Sequence, residues 1–371
     1  MSASTPNLIK QVNLQCVRSA LLELKSATKP QLAEYTSLSV ITINALIRYL
    51  KETGEVLEDS MTHPGLGRPA MSYKLNEEFC MALIIYTFEK DGQDTAFFVV
   101  RNLYGDSVES FAKSISVVLP DSFDTEIESL LKKYPAIRLI GFGLPATESG
   151  GTIISSDYAS LIGYHFCEEK KRRFHLPVFL VNDIKAATVG YCYNHHIASS
   201  RCVMGLYLPN KYDPGIGLFY DGKLFSGCAG LAGRIAPLMP HIHWDDCDYQ
   251  ENKHQDVILQ LIYKLSCLYN PDTIIVYSEA PLSFLREQID DYFTAPPDEA
   301  ELGFAENLGT GFSSWDQPPG TGPTISSGIP DLQPGNMRGR HEYGPRTKKR
   351  LPKYQLRSVC PGGEILLLDP V

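Results

Sequence analysis

The chain has 371 residues, 43% hydrophobic and 21% charged, with a net charge of −9, enough for roughly two or three domains with sizeable cores. No apolar run approaches the ~18 residues a membrane span needs, and the acidic balance excludes adhesion of the whole protein to nucleic acid, so any such binding is local. The start "MSASTPNLIKQVN" has no basic leader before an apolar core, and the nine cysteines lack paired spacing; a cytoplasmic chain with free thiols is expected.

From Asn7 to about Lys51, apolar residues recur at three and four: Leu8, Val12, Cys16 and Ala20, then Leu32 and Ala33, then Val40, Ile43, Leu46, Ile47 and Leu50. This spacing predicts three helices. Thr28, with Pro30 in the first turn, caps the second, Ser39 caps the third, and Gly54 ends it. Two extended runs, "EVLEDS" and "PAMSYKLN", flank "MTHPGLGR", so residues 1–78 read as three helices with a two-stranded wing. The first 76 residues hold eight Lys or Arg against six Asp or Glu, a weak basic bias in an acidic chain.

Residues 79–293 alternate strand-like and amphipathic stretches. "MALIIYTF", "TAFFVVRNL", "IRLIGFGLP", "PVFLVND", "RCVMGLYLP", "GIGLFYDGKLF" and "DTIIVYS" have strand character, and "DSFDTEIESLLKKY" and "QDVILQLIYKLSCLY" have helix character, an α/β pattern. From Ala295 onward, 77 residues carry 11 of the chain's 25 prolines and 11 of its 29 glycines. Such density breaks helices and strands, so residues 294–371 are expected to form an irregular tail. A change of reading frame near residue 294 would give the same loss of pattern.

The stretch "KPQLAEYTSLSVITINALIRYLKETGEVLED" has the form of a helix, a tight turn and a second amphipathic helix, which can hold its outer face in a major groove of double-stranded DNA. Its polar residues on that face are Ser39, Thr42, Asn44 and Arg48. Asn44 suits adenine recognition, and Arg48 suits phosphate. In "GLGRPA", Arg68 sits on a slim loop able to reach a narrow minor groove. Helical pattern alone leaves a three-helix protein-binding module open.

The run "LSVITINALIRYLKETGEVLE...GLGRPAMSYKLN" resembles the winged-helix heads of ROK-family transcriptional repressors, the group of the xylose and N-acetylglucosamine regulators. "IGFGLPATESGGTIISS", "LIGY", "PVFLVNDIKAATVGY" and "GIGLFYDGKLFSGCAGLAGRI" resemble ROK body blocks in the right order. The resemblance covers roughly residues 7–290. It implies an actin-like, two-lobed body with a sugar cleft, an effector that is a sugar or sugar phosphate, and a homo-oligomer whose two-fold axis presents two heads to a palindromic site.

Against the sugar kinases of the same family the chain departs at both phosphate loops. No Asp-x-Gly-x-Thr turn occurs in "MALIIYTFEKDGQDTAFF", and the second loop survives as "DPGIG". Asp213 would repel phosphate, and Pro214 has no N–H to offer it. A non-enzymatic regulator without a cofactor is therefore expected, with a non-sensing ROK protein or an ATP-dependent sugar kinase as the alternatives. In the cleft, Asn182 and Asp183 match the family's sugar-binding pair. The resemblance places Ser160 where the family has an asparagine, and Arg234 within the segment where it has Gly-Glu-x-Gly-His. Arg234 can pair with an acidic sugar, pair with Asp183, or face solvent. The family's zinc cluster is reduced to Cys247 with His241 and His243 nearby, so no metal is expected.

Overall fold

The computed structural model describes residues 5–62, 70–90, 92–244 and 252–278, and beyond them residues 282, 284–285 and 288 and strands at 302–305, 354–359 and 365–370. The first unit is a small helical head: α1 (Thr5–Leu24), β1 (Ala27–Thr28), α2 (Lys29–Thr36), α3 (Val40–Glu52), β2 (Val56–Thr62) and β3 (Ala70–Leu75). The two expected strands gain a third partner, because Ala27 and Thr28 pair with Tyr73 and Ser72; the sheet order is β1-β3-β2. Ser39 caps α3 by accepting the Thr42 N–H at 3.1 Å, and the Gln31 side chain accepts the Thr28 N–H at 2.8 Å where α2 begins. Gly54 follows α3 with φ of 79°, a conformation costly for a residue with a Cβ.

The head core is Leu14, Val17, Ala20, Leu21, Leu32, Ile43, Leu46, Ile47, Leu50 and Leu75. On α3 these are the expected apolar positions. On α1 the buried stripe is rotated, since Leu8 and Val12 are 59% and 54% exposed. Arg18 and Glu55 close the core at its edge with a two-pronged contact, Nη2 to Oε2 at 2.8 Å.

The body begins with β4 (Met81–Lys90), β5 (Gln93–Arg101), β6 (Ser107–Ile115), α4 (Asp124–Lys133), β7 (Ile137–Leu144), β8 (Ala146–Ser149), β9 (Thr152–Ser156), α5 (Phe166–Phe174) and β10 (Val178–Asn182). Its five-stranded sheet has the order β10-β7-β4-β5-β6. Residues of α4 and α5, among them Ile127, Leu130, Phe166 and Cys167, pack with Phe98, Phe123 and Phe142 on one face of it. The chain continues through α6 (Asp183–Asn194), β11 (Val203–Leu208), β12 (Gly215–Tyr220), β13 (Lys223–Leu224), α7 (Asn252–Tyr269) and β14 (Thr273–Ser278).

Helix α6 lies between two sheets. Ile184, Ala186, Ala187 and Tyr191 share one core with Ile84, Tyr86 and Val99 of the first sheet and Val203, Tyr207 and Ile275 of the second. A helix with apolar residues on every face has no amphipathic signature, and this burial on both sides is the reason. Two glycines set its depth. A Cβ on Gly205 would stand 2.1 Å from Thr188 Oγ1, and one on Gly217 would stand 2.8 Å from the Ile184 carbonyl oxygen.

Most of the expected tail at 294–371 lies outside the described residues, and the part described is strand. Strands β15 (Leu302–Ala305), β16 (Tyr354–Val359) and β17 (Ile365–Pro370) extend the second sheet in the order β13-β12-β11-β14-β15-β17-β16. Strand β14 is fully buried and offers an edge that a further strand satisfies. The short segments "LGFA" and "ILLLDP" supply such strands between the prolines and glycines that hide them.

Candidate functional site

A cleft of about 240 Å³ opens between the two sheets at the N-terminus of α6. This lies below the ~300–1,000 Å³ of drug-sized pockets and suits a small polar ligand. Separate parts of the chain build it: Pro145–Thr147, the strand end at Ser155–Asp157, the β10–α6 junction, Tyr207, the β12 entry at Asp213–Ile216, and Leu231–Pro237.

Asn182 and Asp183 meet at the junction of β10 and α6. The Asn182 side chain caps the helix by accepting the Lys185 N–H at 3.4 Å. Asp183, 4% exposed, accepts the Ile184 N–H at 2.8 Å. Burial pushes its carboxyl up to about 6, while the Ile184 N–H opposes the rise. Lys185, also buried, donates its ammonium to the Gly230 carbonyl at 2.6 Å, and desolvation holds its pKa below the ordinary lysine value.

The Leu231–Pro237 wall is fixed by backbone. Ile216 N–H donates to Gly233 O at 2.9 Å, and Gly215 and Arg234 form an isolated antiparallel bridge. Gly233 has φ of 105°, and a Cβ there would lie 2.1 Å from the Ile216 carbonyl oxygen, so only glycine fits. Arg234 therefore lines the cleft from an exposed position. Its charge acts on Asp157, a cleft carboxylate that motif reading passes over. Asp157 is open to the cleft's water yet flanked by the walls. Desolvation first, then Asp183 and Asp213, push its carboxyl up to about 7, against the pull of Arg234.

Ser160 is corrected. It does not line the cleft; its hydroxyl donates to the Val118 carbonyl, because the short 3₁₀ turn Ala159–Leu161 carries it away. Asp157 and Lys185 are charged cleft residues missing from the sequence reading. Lys185 was findable, since it stands two residues after Asp183 on the same motif. His241 and His243 are described and Cys247 lies outside the described residues; among the described residues no three His, Cys, Asp or Glu side chains converge as metal ligands.

In the head, α3 buries Ile43, Leu46, Ile47 and Leu50 and turns Ile41, Ala45 and Arg48 outward. Ile41 is 83% exposed. Asn44 is half-buried beside this line. The Ser39 and Thr42 hydroxyls pair with each other at 2.9 Å, so the cap already uses part of their hydrogen-bonding capacity. Arg68 lies outside the described residues. The β5–β6 turn docks on the head: Tyr104 accepts the Leu75 N–H at 3.0 Å and donates to the Lys25 carbonyl at 3.2 Å.

Two mixed sheets share one buried helix, with a polar cleft at its N-terminus, behind a small helical head. Among solved structures, a ROK family transcriptional regulator described as a homologue of the E. coli MLC protein superposes with a TM-score of 0.52 at 16% identity, covering 77% of this chain and 86% of that one. A putative N-acetylmannosamine kinase from Listeria monocytogenes gives a TM-score of 0.50 at 13% identity, covering 64% and 98%. These likenesses show the fold.

In sequence, the chain is 24% identical over 252 residues to the xylose repressor of Caldicellulosiruptor bescii, covering 65% of this chain and 61% of that protein. It is 28% identical over 116 residues to the N-acetyl-D-glucosamine kinase of Aliivibrio fischeri, covering 30% and 38%. The chain thus spans less than two thirds of the length of the curated relatives it matches. No protein-family model matches it. The xylose repressor and the ROK regulator together support the ROK-repressor resemblance carried by the motifs.

Proposed function

We propose that the chain is a DNA-binding transcriptional repressor that responds to a carbohydrate and has no kinase activity. The observation that carries this reading is the pairing, in one chain, of a head whose α3 turns Ile41, Ala45 and Arg48 to solvent with a body cleft lined by Asn182, Asp183 and Arg234. The head is a winged helix-turn-helix: α2 and α3 are the pair, β2 and β3 the wing. Ile41 offers apolar contact to a thymine methyl, Asn44 a carboxamide to adenine, and Arg48 a phosphate contact. Arg68, which falls between β2 and β3 in the sequence, is the candidate minor-groove reader. A homodimer acting in the cytoplasm would place two such heads on a palindromic operator.

The kinase reading is favoured by the similarity to the N-acetyl-D-glucosamine kinase. Against it stands the loop preceding "DPGIG". The Asn210 and Lys211 N–H groups both donate to Glu89 Oε2 at 3.1 Å, so a buried carboxylate of this chain takes donors that a phosphate would need.

The test combines operator selection from random DNA with calorimetry against neutral sugars, sugar acids and sugar phosphates. Selection of a palindrome, with release by one sugar class, is the expected result. Uniform affinity for all DNA would remove the repressor reading, and sugar-dependent ATP turnover would restore the kinase.

A further inference from the structure

The two walls of the cleft meet at a buried carboxylate that does not itself line it. Asp94, at the start of β5, is 5% exposed. Tyr212 donates to its Oδ2 at 2.8 Å, and the Lys211 ammonium stands 3.0 Å from the same oxygen. The Tyr158 hydroxyl, 2.9 Å from Thr87 Oγ1, reaches Asp94 Oδ1 at 3.4 Å. The Tyr158 and Tyr212 rings meet edge to face with centroids 6.2 Å apart. Tyr158 follows Asp157 in the chain and Tyr212 precedes Asp213, and Asp157 and Asp213 are cleft residues from opposite walls.

The loop between β11 and β12 thus leaves the second sheet and is fastened to the β4–β5 hairpin of the first sheet by two carboxylates, Glu89 and Asp94. It then returns as the cleft wall at Asp213–Gly215. Tyr212 also packs against the first sheet's core.

We propose that Asp94 is a positioning residue for the cleft, the hub of a latch between the two sheets that sets the separation of Asp157 and Asp213. A carboxylate is the one side chain of this size able to accept from two phenols and an ammonium together. Its burial makes each lost donor costly. An amide in its place carries no charge to hold the Lys211 ammonium, and with its oxygen kept toward Tyr212 and Lys211 it turns an NH2 group to the Tyr158 hydroxyl, which donates to Oδ1 in this chain. Lys211, with its side chain 44% exposed, would then move to water, and the Glu89 carboxylate alone would hold the loop on the hairpin.

The experiment is amide hydrogen exchange of the full chain and its Asp94→Asn, Asp94→Glu and Lys211→Met variants; it uses neither DNA nor sugar, so its outcome is separate from that of the repressor reading. Lys211→Met changes a partly exposed side chain and preserves the stem, which keeps the test open if Asp94→Asn does not fold. In Asp94→Asn and Lys211→Met, amides of residues 155–159, 210–213 and 215 should exchange about tenfold faster, with β7 and the head core unchanged. Asp94→Glu, which keeps the charge, should restore part of the protection. Unchanged exchange in both charge-removing variants, equal acceleration throughout the body, or an Asp94→Glu variant as labile as Asp94→Asn would each overturn the latch.

Discussion

The head and the cleft place their chemistry by opposite means. The outer face of α3 comes from one helix of 13 residues: once Ile43, Leu46, Ile47 and Leu50 are buried, helical geometry alone turns Ile41, Ala45 and Arg48 outward. The cleft is built from segments far apart in the chain, and its residues take their positions from close approaches at Gly205, Gly217 and Gly233. A local surface tolerates change at its edges, whereas an assembled one fails wherever a single contact is blocked.

The sharpest way to break that contrast is Gly233→Ala. The new methyl would face the Ile216 carbonyl in a left-handed backbone conformation, and the expected loss is about 3 kcal/mol or more, read as a lower denaturant midpoint with the head still folded. An unchanged midpoint would show that the Arg234 segment is not pinned as described.

In the head, Glu55→Gln removes the charge opposite Arg18 at a buried position and should cost about 1–3 kcal/mol. Heat or denaturant unfolding of the variant should show the loss in the head transition and leave the body transition in place. A smaller effect is expected from the surface of α3. Ile41→Ser should lower affinity for the selected operator by about 1 kcal/mol at one position, while Arg48→Ala weakens all sequences alike and reduces the salt slope by about one; titrations at several salt concentrations separate the two.

The smallest effect is in the cleft. Desolvation and the neighbouring carboxylates push the Asp157 carboxyl up to about 7 in the folded chain, against ~3.9 when unfolded. The folded state therefore holds the extra proton between those values. Stability falls as pH rises through this window, and the full penalty is present above it. Replacing Asp157 by Asn removes the penalty, so the gain in melting temperature should be larger at pH 8 than at pH 4.5. Solvent in the cleft screens the repulsion, so the expected gain at pH 8 is about 1–3 °C. A gain independent of pH would mean that desolvation and the charges of Asp183 and Asp213 do not hold the Asp157 carboxyl above its ordinary range.

The sequence by itself determined the head and the order of the body's strands. Ser39 as the cap of α3, Gly54 at its end and the 3.6-residue spacing of Ile43, Leu46, Ile47 and Leu50 are local signals, and local hydrogen bonding and burial obey them. It also marked Asn182, Asp183 and Arg234 through motifs of contiguous residues. Tertiary structure decided the rest. Helix α6 was hidden because burial between two sheets erases the polar face that reveals a helix. The strands at 302–305, 354–359 and 365–370 were hidden among prolines and glycines. Asp157 and Asp94 acquire their surroundings from loops more than fifty and more than a hundred residues away, and Ser160 lost its place in the cleft to a single 3₁₀ turn. Long-range placement depends on which backbones can approach, and no window along the chain records that distance.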